Sequence, residues 1–397
     1  MKLADRVGRI QPSATLAIAA KAKAMKAAGM DVIGFGAGEP DFDTPAHIKE
    51  AAIRAIAEGF TKYTPVGGVE ELKDAIVRRA KLDYGLDYSR AQVMVCCGAK
   101  HALYNAAVAL FQEGDEVLIP GPFWVSYPDI LALADAIPVI LPTGEAEGFK
   151  VSARQLREAI TPRTRALILN SPSNPTGTIY LREELEEIAQ VVRETGIFVI
   201  SDDIYDKLVY NGIKTSPLAC LGQDLLGQTL LINGVSKTYA MTGWRIGYAM
   251  GPQDLISAMD KVQGQSTSNP TSIAQKAALA ALNGPQECVA EMVREFDKRR
   301  RFMVSRLNRM EGVSCYEPQG AFYVFPRVDS YFGRRAGEKI INGAADISEY
   351  LLAEAKVAVV AGEPFGSDAH IRLSFALSMG EIEEGLDRME RALLELA

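Results

Sequence analysis

A lysine and an arginine lie eight positions apart in residues 233–248, NGVSKTYAMTGWRIGY. Lys237 follows a short apolar run within a loop of glycine, serine and threonine, and Arg245 precedes the next apolar run. A lysine at such a point can attack a carbonyl group, provided that its amine is neutral. Because the ordinary pKa of lysine is about 10.4, the pKa of Lys237 has to fall, and a nearby Arg245 cation favours that change. The simpler alternative is an ordinary surface lysine.

Two further segments carry polar groups directly after apolar runs. The turn Gly98-Ala99-Lys100 opens a helical stretch, where exposed backbone N–H groups and the helix dipole can bind a phosphate-sized anion. In residues 170–177, NSPSNPTG, two prolines and a glycine predict a rigid loop that presents the amide of Asn174. Both segments also fit purely structural turns, and the residues alone leave that alternative open.

A carboxylate follows another apolar run, in residues 201–205, SDDIY. Burying the charge of Asp202 is unfavourable unless the group pairs with a cation or with hydrogen-bond donors. Asp202 therefore either caps the following turn or meets a positively charged group. Taken alone, the cap is the simpler interpretation.

The elements that must position these segments alternate between two patterns. Apolar runs typical of buried strands lie at 93–97, 116–119, 166–169, 197–200, 230–232 and 246–250. Helical periodicity is found at 100–112, 152–160 and 182–194. This alternation predicts an α/β fold, with a mainly parallel sheet between helices. Ligands of such sheets bind beyond the carboxyl ends of the strands, which is where the polar segments lie.

The pattern changes after about residue 285. Long charged helices are predicted at 287–310 and 380–397, around short strand-like pieces at 321–325, 357–360 and 371–375. We therefore predict a large α/β domain over 46–285 and a smaller α+β domain that includes 286–397. Residues 1–45 could join either unit on this pattern, and we assign them to the smaller one.

Composition excludes several classes of protein. The 397 residues are 48% hydrophobic and 23% charged, as in ordinary globular proteins, and no apolar run approaches the ~20 residues of a membrane span. With 43 basic and 50 acidic residues the net charge is -7, which argues against a nucleic-acid partner. The one dense basic run, 298–301, lies in a charged helical stretch and is predicted to be a solvated helix face.

Cysteine and histidine usage bears on the compartment and on metals. Five cysteines form an odd number without a C-x-x-C pair, so we expect a reducing compartment and a cytoplasmic location. Three widely spaced histidines offer no obvious metal site, and we predict no bound metal.

Several motifs in order resemble a known family. NSPSNPTG, SDDIY and SKTYAMTGWRIGY resemble the class I aminotransferases of pyridoxal-phosphate (PLP) fold type I. GAGEPDFDTP, FWVSYP and the GAK turn narrow the resemblance to the bacterial aspartate aminotransferase branch called class Ib, and it extends from PSAT at 12–15 to HIRLSFA at 370–376. It implies a large domain with a mainly parallel seven-stranded sheet, a smaller α+β domain, and a homodimer with shared active sites.

The resemblance assigns roles around the cofactor PLP. Lys237 is expected to form an imine with PLP and to move the substrate proton, while Asp202 pairs with the pyridine nitrogen. Tyr205 and Asn174 match donors to the ring oxygen, and Trp124 matches the aromatic residue stacked on the ring. The catalytic set is thus Lys237, Asp202 and Tyr205. The phosphate is expected to contact Arg245, Ser236, the backbone of Gly98, Ala99 and Lys100, and Tyr63 of the neighbouring subunit.

The same resemblance implies the substrate contacts. Arg372 matches the arginine that grips the α-carboxylate, and Gly38 offers a backbone N–H to the same group. Lys100 matches the residue for the distal carboxylate, and Trp124 and Asn174 complete the expected substrate contacts. Many relatives carry a hydroxyl residue at the position of Gly234, so one phosphate hydrogen bond is expected to be absent here or replaced by water.

The activity implied is ping-pong transamination of L-aspartate and 2-oxoglutarate to oxaloacetate and L-glutamate. Relatives that accept prephenate tend to have a basic residue before PSAT, where this chain has Gln11, so aspartate is favoured. The alternatives are a prephenate or aromatic aminotransferase and, from another class, a PLP-binding regulatory module.

Overall fold

The computed structural model describes residues 1–12 and 14–397; Ser13, part of the PSAT motif, lies outside the described residues. The helices of this part are α1 (Asp5–Gly8), α2 (Ala14–Ala27), α3 (Ala46–Ala57), α4 (Glu70–Tyr84), α5 (Ala99–Leu110), α6 (Ser126–Leu133), α7 (Ala153–Ala159), α8 (Arg182–Thr195), α9 (Gln223–Leu226), α10 (Gln253–Ser266), α11 (Ser272–Asn283), α12 (Glu287–Leu307), α13 (Ala344–Tyr350) and α14 (Met379–Leu394). The strands are β1 (Ile33–Gly34), β2 (Val93–Cys96), β3 (Glu116–Pro120), β4 (Ile137–Leu141), β5 (Thr164–Asn170), β6 (Phe198–Asp202), β7 (Thr229–Gly234), β8 (Gly247–Met250), β9 (Tyr323–Val324), β10 (Arg335–Ala336), β11 (Lys339–Ile340), β12 (Val357–Ala358), β13 (Val360–Ala361) and β14 (Ile371–Ser374).

The main sheet has seven strands in the described residues, in the order β2-β8-β7-β6-β5-β3-β4. Neighbouring strands are parallel from β4 through β7, whereas β8 is antiparallel to both of its neighbours. Because β8 runs backwards, its first residue lies at the same edge as the last residues of β2 and β7, and Gly247 pairs with both Cys96 and Gly234. The predicted α/β fold with a mainly parallel sheet is confirmed.

Helices cover both faces of this sheet. On one face α5, α6 and α10 enclose a core that includes Ile119, Ile168 and Ile232. On the other face α4, α11, α7 and α8 pack against the remaining inward side chains of the strands. In α8 the buried residues Leu185, Ile188 and Val192 recur at helical spacing, and burial of each such side chain contributes roughly 1.5–3 kcal/mol. The main sheet is therefore a rigid support for the loops at its edge.

A smaller group of elements forms the second core. Strands β13, β14 and β9 make an antiparallel sheet; the long helix α12 packs against β9, and α14 packs against α12 and β12. Phe296, Phe322 and Phe375 are buried between them. The N-terminal residues contact both groups, since β1 pairs with β12 while α1 contacts α6. The division into 46–285 and 1–45 with 286–397 stays a prediction.

The basic run 298–301 is not wholly a solvated face, because Arg300 is 0% exposed and pairs with Asp297 at 2.7 Å, and Arg299 is buried with Asp41 at 2.8 Å. That prediction was wrong for these two arginines, since α12 turns Arg299 towards Asp41 and buries Arg300 beside Asp297 of the same helix. In the described residues, no helix combines the length and the apolar character needed to cross a membrane.

Candidate active site

A cavity of about 460 Å³ lies at the carboxyl edge of the main sheet and is closed on its other side by residues of β9 and β14. Its size and mixed lining suit a small organic ligand with charged groups. The predicted site residues in its lining are Gly38, Ala99, Lys100, Trp124, Asn174, Asp202, Tyr205, Ser236, Lys237, Arg245 and Arg372. Gly98 directly precedes Ala99, whereas Tyr63 lies at the surface.

An anion cradle forms where β2, β7 and β8 meet. The reversal of β8 brings Arg245, just before that strand, to the N-terminus of α5, just after β2. Gly98 has φ of 93°, and a Cβ on it would lie 2.3 Å from a guanidinium nitrogen of Arg245. A Cβ on Gly247 would lie 2.2 Å from the backbone nitrogen of Ala99. Both glycines are thus needed for the guanidinium to lie against a helix N-terminus, an arrangement that fits a phosphate.

Lys237 lies partly buried between the two sheets. Its ammonium group donates a hydrogen bond to the carbonyl of Gly38 and lies 5.8 Å from the centre of the Tyr205 ring. Burial, together with the nearby cations of Arg372 and Arg245, lowers the pKa of Lys237 to about 8, against the opposing charges of Glu39 and Asp202. The expected fall in pKa is present, but burial rather than Arg245 is its main cause. An amine with this pKa suits nucleophilic attack near neutral pH.

Asp202 is the last residue of β6 and is 3% exposed. Tyr127 donates a 2.6 Å hydrogen bond to one of its oxygens, and the backbone N–H of Ile204 lies 3.4 Å from the other. Burial raises the pKa of Asp202 to about 6, while the Tyr127 hydrogen bond and the Lys237 charge act in the opposite direction. The charged form of such a buried carboxylate is stabilised by a cation that enters the cavity, for example a protonated ring nitrogen of a ligand.

Arg372 brings a buried cation into the cavity from β14. It is 1% exposed, donates to the side-chain oxygen of Asn174 at 3.0 Å and donates to the carbonyl of Gly36 at 3.0 Å. Its Nε has no hydrogen-bond partner among residues 1–12 and 14–397. An unpaired donor on a buried guanidinium is unfavourable, so an anionic ligand is expected to complete the arrangement.

Lys100 supplies a second cation. Lys100 lies in the first turn of α5, and its ammonium nitrogen is 4.8 Å from the centre of the Trp124 ring. Burial lowers the pKa of Lys100, and the charge of Arg245 adds to this effect. In the part of the chain that the structure describes, Lys100 forms none of the ion pairs. Its charge therefore remains available to a ligand.

Tyr205 and Asn174 face the cavity from loops that follow β6 and β5. The hydroxyl of Tyr205 lies 3.1 Å from the hydroxyl of Tyr323, and Asn174 is fixed by a 2.9 Å hydrogen bond from its backbone N–H to the side chain of Asn170. Tyr63 differs from all of these residues because it is 92% exposed and does not line this cavity in the described structure.

Tyr127, Glu39 and Tyr323 are among the cavity residues that were missed from the sequence. Tyr127 lies within FWVSYP and Glu39 within GAGEPDFDTP, so their motifs were noticed but their roles were not. Glu39 accepts a 2.6 Å hydrogen bond from Thr242, which ties the loop after β1 to the loop that carries Lys237. Tyr323 lies in the apolar piece 321–325, where no polar motif drew attention to it.

Comparison with known proteins agrees with this geometry. The chain is 52% identical over 394 residues to an aspartate aminotransferase of Geobacillus stearothermophilus, covering 98% of each chain. It is 47% identical over 396 residues to an aspartate/prephenate aminotransferase of Nitrosomonas europaea, covering 99% of this chain and 100% of that one.

Solved structures agree as well. The aspartate aminotransferase of Rhizobium meliloti superposes with a TM-score of 0.96 at 44% identity, covering 100% of both chains. The Thermus thermophilus aspartate aminotransferase with maleate superposes with a TM-score of 0.93 at 40% identity, covering 99% of this chain and 100% of that one. The family model "Aminotransferase class I and II" matches residues 30–389, and the chain therefore belongs to that family of PLP-dependent transaminases.

Proposed function

We propose that the protein transfers the amino group of L-aspartate to 2-oxoglutarate, giving oxaloacetate and L-glutamate. The observation that carries this proposal is that Lys237, Asp202 and Arg372 line one cavity together with a second cation, Lys100. A dicarboxylic amino acid needs two cationic partners, and an arginine and a lysine supply them. The names of the relatives from Geobacillus stearothermophilus and Rhizobium meliloti support the same substrate.

The chain's own residues fit PLP as the cofactor. Bound PLP supplies an aldehyde and an electron-withdrawing ring that stabilises negative charge at the substrate's Cα. Asp202 holds the proton on the ring nitrogen, because its carboxylate is buried and its own charge needs a partner. Tyr205 and Asn174 would donate hydrogen bonds to the ring oxygen, and Trp124 would cover the ring face. The residues proposed to hold the phosphate are Gly98, Ala99, Lys100, Ser236 and Arg245.

The substrate is held by its two carboxylates and reacts beside Lys237. Arg372 and the backbone N–H of Gly38 bind the α-carboxylate, and Lys100 binds the distal carboxylate. Lys237 would hold the aldehyde of the cofactor when no substrate is present, and its Nζ atom would take the proton from the substrate's Cα. Its lowered pKa allows that amine to be neutral at the moment of transfer.

A homodimer completes the proposed site. The side chain of Tyr63 is 92% exposed within one chain, so it is free to contact a second subunit. We propose that Tyr63 reaches the phosphate in the neighbouring subunit.

All five cysteines are free, which supports the cytoplasmic location predicted above.

A second substrate has support of its own. Relatives from Nitrosomonas europaea and Cereibacter sphaeroides are named aspartate/prephenate aminotransferase. In this chain the residue before PSAT is Gln11, whose backbone N–H donates to Asp129 at 3.3 Å. Because its side chain carries no positive charge, prephenate is the second candidate rather than the first.

The test is a screen of single half reactions. The holoenzyme is mixed with each amino acid, and the loss of the visible absorbance of the bound cofactor gives the rate. Aspartate and glutamate are expected to react fastest. Cofactor binding without turnover of any amino acid would contradict the proposal and favour a regulatory module, whereas prephenate as the best acceptor in the reverse half reaction would favour the second candidate.

The same screen tests Lys100. We expect Lys100→Ala to raise the KM for aspartate roughly 10- to 100-fold while leaving apolar amino acids within about two-fold, because only a distal carboxylate loses a charged hydrogen bond. The matched control is Lys298→Ala, which removes an exposed lysine of α12 outside the cavity. An equal effect of Lys100→Ala on both kinds of amino acid would reject its role in selectivity.

A further prediction concerns pH. Only the neutral amine of Lys237 attacks an aldehyde, and its pKa is lowered to about 8. Between pH 6 and pH 8 the rate of covalent PLP capture by the apoprotein is expected to rise about ten-fold per unit, and then to level off. Stopped-flow absorbance measures this rate. Pyridoxamine phosphate has no aldehyde and is the control; a profile that keeps rising to pH 10 would contradict the prediction.

A further inference from the structure

Tyr323 lies at the junction of the two groups of elements that form the cavity. It belongs to β9, where it pairs with Ser374 of β14, so Arg372 is its diagonal neighbour on the same face of that sheet. The guanidinium carbon of Arg372 lies 4.4 Å from the centre of the Tyr323 ring. The hydroxyl of Tyr323 lies 3.1 Å from that of Tyr205, which follows β6 in the main sheet. One buried side chain therefore contacts two proposed ligand-binding groups.

The hydroxyl pair has a specific hydrogen-bond requirement. Each tyrosine hydroxyl carries one hydrogen and can both donate and accept. Burial raises the pKa of Tyr205 well above its ordinary value and also raises the pKa of Tyr323, so both keep their hydrogens at neutral pH. When Tyr205 donates its hydrogen to a ligand, its oxygen is left as an acceptor, and Tyr323 is placed to donate to it. Such a chain of donors strengthens the outer hydrogen bond.

The ring of Tyr323 has a separate effect on Arg372. A guanidinium over an aromatic face is stabilised by the ring quadrupole, more so when both groups are desolvated. Arg372 and Tyr323 are each 1% exposed, which satisfies that condition. Phe322 packs against Tyr323 at 4.6 Å between ring centres and limits the movement of the ring.

We propose that Tyr323 is a positioning residue for transamination: its hydroxyl sets the direction in which Tyr205 donates, and its ring holds Arg372 in place for the α-carboxylate. This rests on the functions proposed above for Tyr205 and Arg372. A purely structural tyrosine would fill the core equally well as phenylalanine, because Phe296, Phe322 and Phe375 already form the surrounding cluster.

The two parts of the proposal separate by variant. Tyr323→Phe keeps the ring and removes the hydroxyl, so Tyr205 donates more weakly to the ring oxygen of the cofactor. More negative charge then remains on that oxygen. The proton on the neighbouring Nζ of Lys237, where the cofactor is attached, is therefore held more tightly. We expect the pH midpoint of the holoenzyme's visible absorption to rise by roughly 0.3–1 unit, with kcat reduced about 3- to 10-fold. The KM for aspartate is expected to change less than about two-fold.

Tyr323→Leu removes the ring as well. In addition to the upward shift of the midpoint, the KM for aspartate is expected to rise roughly 5- to 10-fold, because Arg372 keeps only the more distant of its two aromatic contacts, Phe365 at 5.0 Å. The same increase is expected for apolar amino acids, since every amino acid carries the α-carboxylate. This distinguishes the effect from that of Lys100→Ala.

The matched control is Tyr331→Phe, which removes another buried tyrosine hydroxyl from the same smaller group of elements. The Tyr331 hydroxyl donates to the carbonyl of Glu311, outside the cavity. Its midpoint, kcat and KM are expected to equal those of the wild type. A double-mutant cycle adds a second measurement, because in a Tyr205→Phe background the removal of the Tyr323 hydroxyl should no longer move the midpoint.

The outcomes are distinguishable. If the wild-type holoenzyme shows no titration and no turnover, the proposed function itself fails. If the wild type behaves as described and Tyr323→Phe has an unchanged midpoint and kcat, or Tyr331→Phe shifts them equally, the role of Tyr323 is overturned. A shift in Tyr323→Phe that persists in full without the Tyr205 hydroxyl also overturns it.

Discussion

Replacement of Lys237 by alanine is expected to reduce the rate of transamination by at least about 10⁴-fold, the largest effect of any single change in this chain. The variant loses both the amine that bonds the cofactor and the group that takes the proton from Cα, and general acid–base catalysis alone contributes about 10²–10⁴-fold. Binding of PLP through its phosphate should remain, because the anion cradle is formed by other residues. The half reaction with aspartate, followed by cofactor absorbance, measures the loss.

The controls distinguish the loss of a positive charge at position 237 from the loss of a reactive amine. Lys237→Arg keeps a cation in the cavity but provides no amine that attacks at neutral pH, so it is expected to be as inactive as Lys237→Ala. Borohydride reduction of the wild-type holoenzyme, followed by peptide mapping, should label Lys237. A label on another lysine, or a Lys237→Ala variant that keeps more than about 1% of the wild-type rate, would disprove the assignment.

The second large effect is expected for Asp202→Asn, which should lower kcat/KM by roughly 10²- to 10⁴-fold. Asparagine has the same shape, and Tyr127 can still donate to its oxygen, but the charge that holds a proton on the ring nitrogen is lost. Removal of one partner from a buried charge pair typically costs 2–5 kcal/mol. The steady-state rate with aspartate and 2-oxoglutarate measures the effect.

The same substitution is expected to stabilise the apoprotein. Because the folded-state pKa of Asp202 is raised from 3.8 to about 6, the folded chain binds the proton more tightly than the unfolded chain. The free energy of unfolding therefore falls as the pH rises through the window from about 4 to 6, by an amount on the order of 3 kcal/mol for this group. Above pH 6 the neutral side chain of asparagine avoids the loss of stability that comes from burying an ionised carboxylate. The melting temperature of the apoprotein at pH 8 is expected to increase while activity is lost.

Asp203→Asn is the matched control for this pair of measurements. Burial raises the pKa of Asp203 well above its ordinary value, so Asp203→Asn changes a second buried carboxyl group, one residue away from Asp202, to an amide. Asp203 does not line the cavity in the described structure, and little change in activity is expected. If Asp202→Asn instead lowered the melting temperature and Asp203→Asn abolished activity, the assignment of the cofactor carboxylate would be wrong.

Most of the fold was predictable because buried strands are short apolar runs bounded by polar loops. Each strand predicted for the main sheet overlaps an observed strand, with small differences at the ends; β6, for example, continues to Asp202 rather than ending at residue 200. Strand β4 was not predicted, since Pro138 interrupts its apolar run and proline is tolerated only at the edge of a sheet, where β4 lies. Nothing in the four residues of β8 indicates that this strand runs in the opposite direction to its neighbours.

The site was predictable where its residues occur in motifs and unpredictable where they meet only through tertiary structure. Lys237 and Asp202 follow apolar strands within recognisable segments, so their meeting at one edge of the sheet could be expected. Tyr323 lies 118 positions from Tyr205, and Tyr127 lies 75 positions from Asp202. Those contacts depend on how the smaller sheet approaches the larger one and on how α6 packs, neither of which local patterns describe.

Lys237 and Arg245 lie on a single connection between two strands that run in opposite directions. Loops at protein surfaces commonly accept inserted residues during evolution. Here Gly234 and Gly247 pair directly at the two ends of the connection, so an insertion between them would displace the proposed cofactor-bonding amine relative to the phosphate-binding guanidinium. We expect descendants of this chain to keep the length of residues 235–246 unchanged, while the exposed hairpin of β10 and β11 is free to lengthen or shorten.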